Sequence, residues 1–330
     1  MKSRVAYEEH TFCEKVCESV SWAGVCASGA AANMLGPLTR LLTSAVTAAS
    51  APPTSGSAGI PPGPYPSILY GTAWKKERTC ELVLLALKCG FRAIDTACQP
   101  KHYNEAGVGE AVERSGLPRA DLWLQTKFTP IAGQDPAKAL PYDAKAPLEE
   151  QVHQSVATSL TNLKTTYIDC LILHSPLPTY EETLRVWRAM ESHVASGEVK
   201  YCGISNLYDA HSLARLCDDA AVKPLAVQNR FVEQHGRHDV EVRRVCRERG
   251  VQYSSFWTLT GNKKIVEGRA VREVAKAHGC TCEQAWMAFV SGGLGISPLS
   301  GTTSEAHMRQ DLQLPTLTER EVERLSYLIG

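Results

Sequence analysis

From residue 68 onward, short apolar runs and longer segments of helical period follow one another with few interruptions. β-prone runs fall at 68–72, 93–95, 122–127, 168–174, 201–205, 225–229, 251–256 and 295–298. Between them, apolar residues recur every three to four positions at 77–89, 106–115, 148–163, 181–196 and 240–249, with 304–312 and 318–328 closing the series. Gly90 and Gly116 stand just past two of these stretches, where a left-handed terminal residue is wanted and glycine meets no Cβ clash. The β-prone runs carry few alternating polar residues, as strands covered on both faces do. Strand then helix, eight times over, predicts an α/β chain with a parallel sheet. A closed (β/α)8 TIM barrel of roughly 250 residues suits that count better than a doubly wound sheet.

Ahead of the barrel the texture changes. Residues 1–66 hold no sustained period and run into a Pro-, Gly- and Ser-rich stretch at 51–64 that has no means to build a core. The expectation is a low-complexity, disordered extension over 1–66 and a barrel over 67–330, with residues 1–60 removable without loss of folding or activity. The stretch 19–50 is rich in Ala, Ser and Thr, with Arg40 and no acid, which hints at organellar import. Glu8, Glu9, Glu14 and Glu18 argue against it, because a transit peptide is acid-poor at its front.

Composition narrows the function classes. Lys plus Arg and Asp plus Glu balance at 35 each, so no net field draws nucleic acid or an anionic membrane. No apolar run approaches the roughly 20 residues of a membrane span. The 12 cysteines form no C-x-x-C pair and no His/Cys cluster at zinc spacing, so we expect a reduced, cytoplasmic chain without a structural metal. A monomer acting on a small molecule is the reading carried forward.

The candidate chemistry lies at the strand ends. These read Asp95, Lys127, His174, Ser205-Asn206, Gln228-Asn229 and Phe256-Trp257. In a barrel of this kind the C-terminal ends of the strands share one rim and carry the catalytic groups. Singly, a lysine closing a strand is a snorkelling surface residue. Repetition at strand after strand is the signal. Asp95, Lys127 and His174 together suggest proton chemistry. A free tyrosine, with a pKa of about 10, donates poorly at neutral pH. A lysine cation held by a carboxylate favours the phenolate and so makes the phenol a better acid. Tyr103 is available in the loop directly after Asp95.

Several pieces now combine: Gly71-Thr-Ala-Trp74, Gly90-Phe-Arg-Ala-Ile-Asp-Thr-Ala97, Tyr103-Asn-Glu105 with Val108-Gly109, Thr126-Lys127, Asp169-Cys-Leu-Ile-Leu-His-Ser-Pro176, Gly203-Ile-Ser-Asn206 and Val227-Gln-Asn229. In this order, on these strand ends, they resemble the aldo-keto reductase family over nearly everything after Ile68. The resemblance implies an NAD(P)H-dependent carbonyl reductase that binds NADPH extended across the barrel rim, and the chain indeed lacks a G-x-G-x-x-G between strand and helix. It implies Tyr103 as proton donor, Asp95 and Lys127 as the groups that tune it, and His174 with Trp74 at the substrate. Thr72, Asp95, Ser205, Asn206, Gln228 and Phe256 correspond to residues around the nicotinamide, and Ser300, Thr302 and Asp311 to the phosphate end. For Phe256, simple core packing stays open beside stacking on the nicotinamide.

The chain departs from the family pattern in three places. Gln99-Pro-Lys-His102 lengthens the loop, so Tyr103 stands eight residues from Asp95, and counting back from Glu105 puts His102 at the usual tyrosine position. His102 therefore competes for the proton-donor role. Leu299 stands where the phosphate clamp has a lysine, and His307 near the arginine, which leaves Ser300, Thr302 and Arg309 for a 2′-phosphate and keeps NADH as the alternative cofactor. The sequence stops soon after 318–328, without the long loop that roofs the pocket in many relatives, so an open pocket and broad specificity are expected, with 129–147 supplying part of the wall. A competing reading is a cofactor-binding barrel that serves as a sensor or accessory subunit. A metal-dependent hydrolase fits poorly, since the rim offers one strand-end His and one Asp.

Overall fold

The structure, a computed structural model, describes residues 65–329. The extension expected over 1–66 lies, up to residue 64, outside the described residues. Eight parallel strands close a barrel in sequence order, β8 pairing with β1. They are β1 Leu69–Gly71, β2 Ala93–Asp95, β3 Trp123–Phe128, β4 Ile168–Leu173, β5 Val199–Ser205, β6 Ala226–Arg230, β7 Gln252–Phe256 and β8 Ser297–Ser300. Around them run α1 Thr79–Cys89, α2 Glu105–Ser115, α3 Leu148–Asn162, α4 Tyr180–Ser196, α5 Ala210–Asp219, α6 Gly236–Arg249, α7 Lys263–Val266, α8 Arg269–His278, α9 Cys282–Ala288, α10 Glu305–Asp311 and α11 Glu319–Ser326. The expected (β/α)8 barrel is the fold.

Local differences from the pattern have local causes. β8 starts two residues after the predicted 295, because Gly295 and Ile296 donate back to the Ser291 and Val290 carbonyls and finish the preceding helical turn. α5 lies outside the predicted helical segments, although Leu213, Leu216 and Cys217 recur at helical spacing, and Asp209 caps it by accepting from the Ser212 N–H. α6 opens on Arg237, His238 and Asp239, all with positive φ, so its right-handed part begins near the predicted residue 240. Those three residues hold a backbone region that costs non-glycine side chains of order 1 kcal/mol or more each. Side-chain bonds from Asn229 and Tyr253 to Asp239, and between His238 and Asn262, secure them.

The large apolar side chains Trp187, Trp286, Phe128, Phe231 and Phe289 are buried. Alternation along β3 sends Leu124, Thr126 and Phe128 to one face and Trp123, Gln125 and Lys127 to the other. Gln125 and Lys127 both bond to Asp95 of β2, and Gln228 of β6 reaches the same carboxylate across the barrel. That face is the barrel interior, and near the mouth its filling is polar.

Candidate active site

At the C-terminal mouth of the strands, the Lys127 ammonium lies 2.7 Å from each oxygen of the Asp95 carboxylate and donates to the Thr96 carbonyl at 2.7 Å. Both side chains are almost wholly inaccessible. Burial pushes the lysine's pKa down while the Asp95 charge opposes the shift. Gln125 and Gln228 add amide donors to Asp95 Oδ1 at 2.7 and 3.1 Å. The Thr72 hydroxyl and N–H both bond to the Asp95 carbonyl, which fixes the end of β2 against β1.

Tyr103 and His102 face different partners. The Tyr103 ring centre is 5.2 Å from Lys127 Nζ and 6.0 Å from the His174 ring, edge-on. The His102 ring packs on the Trp74 indole with centroids 3.8 Å apart, and its Nδ1 is buried with no hydrogen-bond partner among the described residues. Burial first, then Lys101, holds the His102 pKa down to about 4. The longer loop is absorbed in a turn, where the Gln99 carbonyl accepts from the N–H groups of both His102 and Tyr103. Directly afterwards Asn104 caps α2 through the Gly107 N–H, and Glu105 is buried under bonds from Thr126, Ser159 and Asn162. The Asn-Glu pair of the motif thus pins the tyrosine loop to β3 and α3.

His174 is half-buried, and its Nδ1 meets the Thr129 hydroxyl at 2.7 Å. Burial, then Lys127 and His102, keep its pKa well below the usual imidazole value, so the ring is neutral. Asn206, at φ 55°, donates to the His174 carbonyl at 2.9 Å and to Ser205 Oγ at 3.2 Å, and its Oδ1 accepts from the Tyr208 hydroxyl. Ser205 donates to the Gln228 carbonyl at 2.6 Å. Phe256, half-buried, pairs with Arg230 in the sheet, and the Arg230 guanidinium lies over the Trp257 ring at 4.5 Å. Ser205, Asn206, Gln228 and Phe256 therefore share the mouth with the Asp95–Lys127 pair.

The β1–β8 corner is arranged otherwise than the motif suggests. Ser300 donates to Asp311 at 2.6 Å, and burial pushes the Asp311 pKa up. Thr302 accepts from the Ser304 N–H. A cation in this corner that nothing in the sequence marked is Lys75. It donates to the Gly301 carbonyl and lies 5.4 Å from the Tyr70 ring centre, and burial lowers its pKa to about 8. Trp74 and Ile131, 54% and 48% exposed, are large apolar side chains on the loops after β1 and β3. Gln125, Thr129 and Tyr208 were likewise unmarked in the sequence, where nothing local distinguishes them.

An open groove lined by Arg119, Leu160, Thr161, Lys164, Thr165 and Thr166 lies near the opposite ends of β3 and β4, away from this chemistry. Arg119 and Lys164 are already paired with Asp169 and Glu113. Among the described residues, no group of three or more His, Cys, Asp or Glu side chains is set to hold a metal ion, and no helix is long and apolar enough to cross a membrane.

The sequence profile of the aldo/keto reductase family matches residues 67–329, and the chain belongs to that family of oxidoreductases. It is 30% identical over 206 residues to a glyoxal reductase of Bacillus subtilis, a match covering 62% of this chain and 66% of that protein. It is 28% identical over 233 residues to methylglyoxal reductase DkgA of Escherichia coli K12, covering 69% and 76% respectively. Among solved structures, an aldo/keto reductase from Brucella melitensis superposes with a TM-score of 0.68 at 25% identity, covering 80% of this chain and 95% of that one. The chain is thus an enzyme of a family that works with a nicotinamide cofactor. The mouth suits such a group in its donor chemistry: Ser205, Asn206 and Gln228 are neutral hydrogen-bonding side chains of the kind a carboxamide needs, and Phe256 offers an aromatic ring beside them.

Proposed function

We propose that this enzyme reduces small aldehydes or ketones to alcohols with NADPH, Tyr103 delivering the proton to the carbonyl oxygen. The observation that carries the reading is the buried Asp95–Lys127 pair set against the Tyr103 ring, with a neutral His174 ring edge-on to it at 6.0 Å. When bound, the reduced nicotinamide supplies the hydride taken up by the carbonyl carbon. Ser205, Asn206 and Gln228 would hold its carboxamide and Phe256 its ring face. Thr72, Lys75, Ser300, Thr302 and Arg309 would line the path toward its phosphates, with Asp311 orienting Ser300.

The protein's own groups supply the rest. Lys127 places a positive charge beside the phenol in a site where solvent screens weakly, which stabilises the phenolate left after proton transfer. Asp95 keeps that ammonium in place. In the tautomer that accepts the Thr129 hydroxyl at Nδ1, His174 carries its proton on Nε2, where it would orient a carbonyl oxygen without competing as an acid. Trp74 and Ile131 offer apolar walls that help exclude water. The likeness to a glyoxal reductase and a methylglyoxal reductase supports a small dicarbonyl as one substrate class. The sensor or accessory reading gains no support, because the longer loop still brings the Tyr103 ring beside Lys127. Fluorescence titration with NADPH and NADH, followed by turnover on glyoxal, methylglyoxal and an aldehyde panel, tests the proposal. Tight cofactor binding with no turnover on any carbonyl would reverse it in favour of a binding role.

A further inference from the structure

The barrel interior beneath Lys127 carries a column of polar side chains that the reaction does not require directly. Tyr65 enters ahead of β1 and packs edge-on against Trp123, the first residue of β3, at 5.6 Å between ring centres. Its hydroxyl donates to Gln125 Oε1 at 2.9 Å. Gln125, fully buried, donates through Nε2 to Asp95 Oδ1 at 2.7 Å, and Asp95 holds Lys127. Side-chain bonds thus run from the strands' N-terminal side to the ion pair at the mouth. The orientation of the Gln125 amide follows from chemistry: reversed, it would set its oxygen against the Asp95 carboxylate and leave the Tyr65 hydroxyl facing N–H groups. Burial pushes the Tyr65 phenol well above its ordinary range, so it remains a donor.

We propose that Gln125, locked by Tyr65, is a positioning residue that sets the charge balance of the Asp95–Lys127 pair and, through it, the readiness of Tyr103 to release its proton. The argument is electrostatic. Asp95 accepts from Lys127 through both oxygens and from two amides through Oδ1. Each amide turns the positive end of its dipole to the carboxylate and compensates part of its charge in a weakly screening interior. The more of that charge the amides compensate, the more of the Lys127 field reaches the phenol. Gln125→Leu removes one dipole, makes the potential at Tyr103 more negative and disfavours the phenolate. The titratable groups facing this column are Asp95, Lys127, Cys170 of β4, Glu105 of α2, His174, and His102 and Tyr103 of the loop after β2. Cys170 stays a neutral thiol, because burial pushes it well up.

The role of Gln125 belongs to the reductase reading above, but its test need not depend on turnover. In the full chain with tyrosines isotope-labelled at Cζ, the Tyr103 resonance is assigned by its loss in Tyr103→Phe and followed by NMR from neutral to about pH 11. The Tyr103 midpoint should rise by about half to one pH unit in Gln125→Leu, and by less in Tyr65→Phe, which frees the amide without deleting it. The alkaline limb of kcat/KM for methylglyoxal should move up with it, at unchanged NADPH affinity. Equal midpoints in the folded variants would overturn the proposal. So would lower turnover and a lower Tm at an unshifted midpoint, since that leaves Gln125 a packing residue only. If Gln125→Leu fails to fold, Tyr65→Phe, one oxygen smaller, carries the same test. A wild-type protein that reduces no carbonyl would count against the reductase reading, while the midpoint still decides the role of Gln125.

Discussion

The ammonium of Lys127 lies 5.2 Å from the centre of the Tyr103 ring, although Tyr103 sits in a lengthened loop. His102, one residue earlier, turns to the Trp74 indole instead. The turn closed on the Gln99 carbonyl accommodates the extra residues, and the buried Glu105 anchors the chain immediately after them.

On this geometry Tyr103→Phe removes the proposed proton donor. We expect kcat to fall by about 10²–10⁴-fold, the usual worth of a general acid, with NADPH affinity nearly unchanged. His102→Ala should retain most turnover. Steady-state kinetics on both variants checks this, and loss of activity in His102→Ala with survival in Tyr103→Phe would reassign the donor.

The pH profile gives a separate check. His102, with its pKa held down to about 4, is protonated in only about one molecule in 10³ at pH 7. If it were the acid, kcat/KM would decline as pH rose through that value. With Tyr103 as donor and His174 neutral, kcat/KM for carbonyl reduction should stay level across neutral pH and decline only on the alkaline side, as the phenol loses its proton.

In the proposed cofactor path, Lys75 would supply the cation that Leu299 does not. Its pKa is lowered to about 8, so it is charged below that pH and loses its proton as pH rises through it. NADPH should therefore bind more weakly at alkaline than at neutral pH, and NADH should show less of this dependence. Lys75→Met should weaken NADPH binding by roughly tenfold at neutral pH, in line with the worth of a hydrogen bond to a charged group, and abolish the pH trend. Fluorescence titrations of both cofactors across that range measure it.

The Asp95–Lys127 pair also bears on stability. Lys127→Met strands a buried carboxylate, and breaking one side of such a pair costs about 3–5 kcal/mol. Asp95→Asn with Lys127→Met should cost less than the sum of the two single changes, because neither charge is then left unpaired. Urea unfolding of the two singles and the double gives the comparison, and strict additivity would argue that the pair is not coupled.

Much of this arrangement was legible in the chain. Asp95, Lys127, His174, Ser205, Asn206 and Gln228 could be picked out because each ends a short apolar run, and parallel strands of one barrel bring such ends to a common rim. The onset of β8 was not legible, since residues 295 and 296 are apolar enough for a strand and are claimed instead by the preceding turn's hydrogen bonds. The Ser300–Asp311 bond was equally hidden, because a polar residue in a motif does not reveal whether it is already partnered.

The sequence by itself determined the repeating strand–helix order, the polar strand ends and the family likeness, because these rest on local periodicity and on residue types at fixed spacing. The tertiary structure alone decided which of His102 and Tyr103 meets Lys127, that Lys75 reaches from the loop after β1 to Gly301 just past β8, and that Gln125 and Tyr65 stand beneath Asp95. Those relations join residues tens to more than two hundred positions apart and arise only when the barrel closes. Alternation along a strand tells which side chains share a face, while ring closure fixes which face points inward and what it meets there.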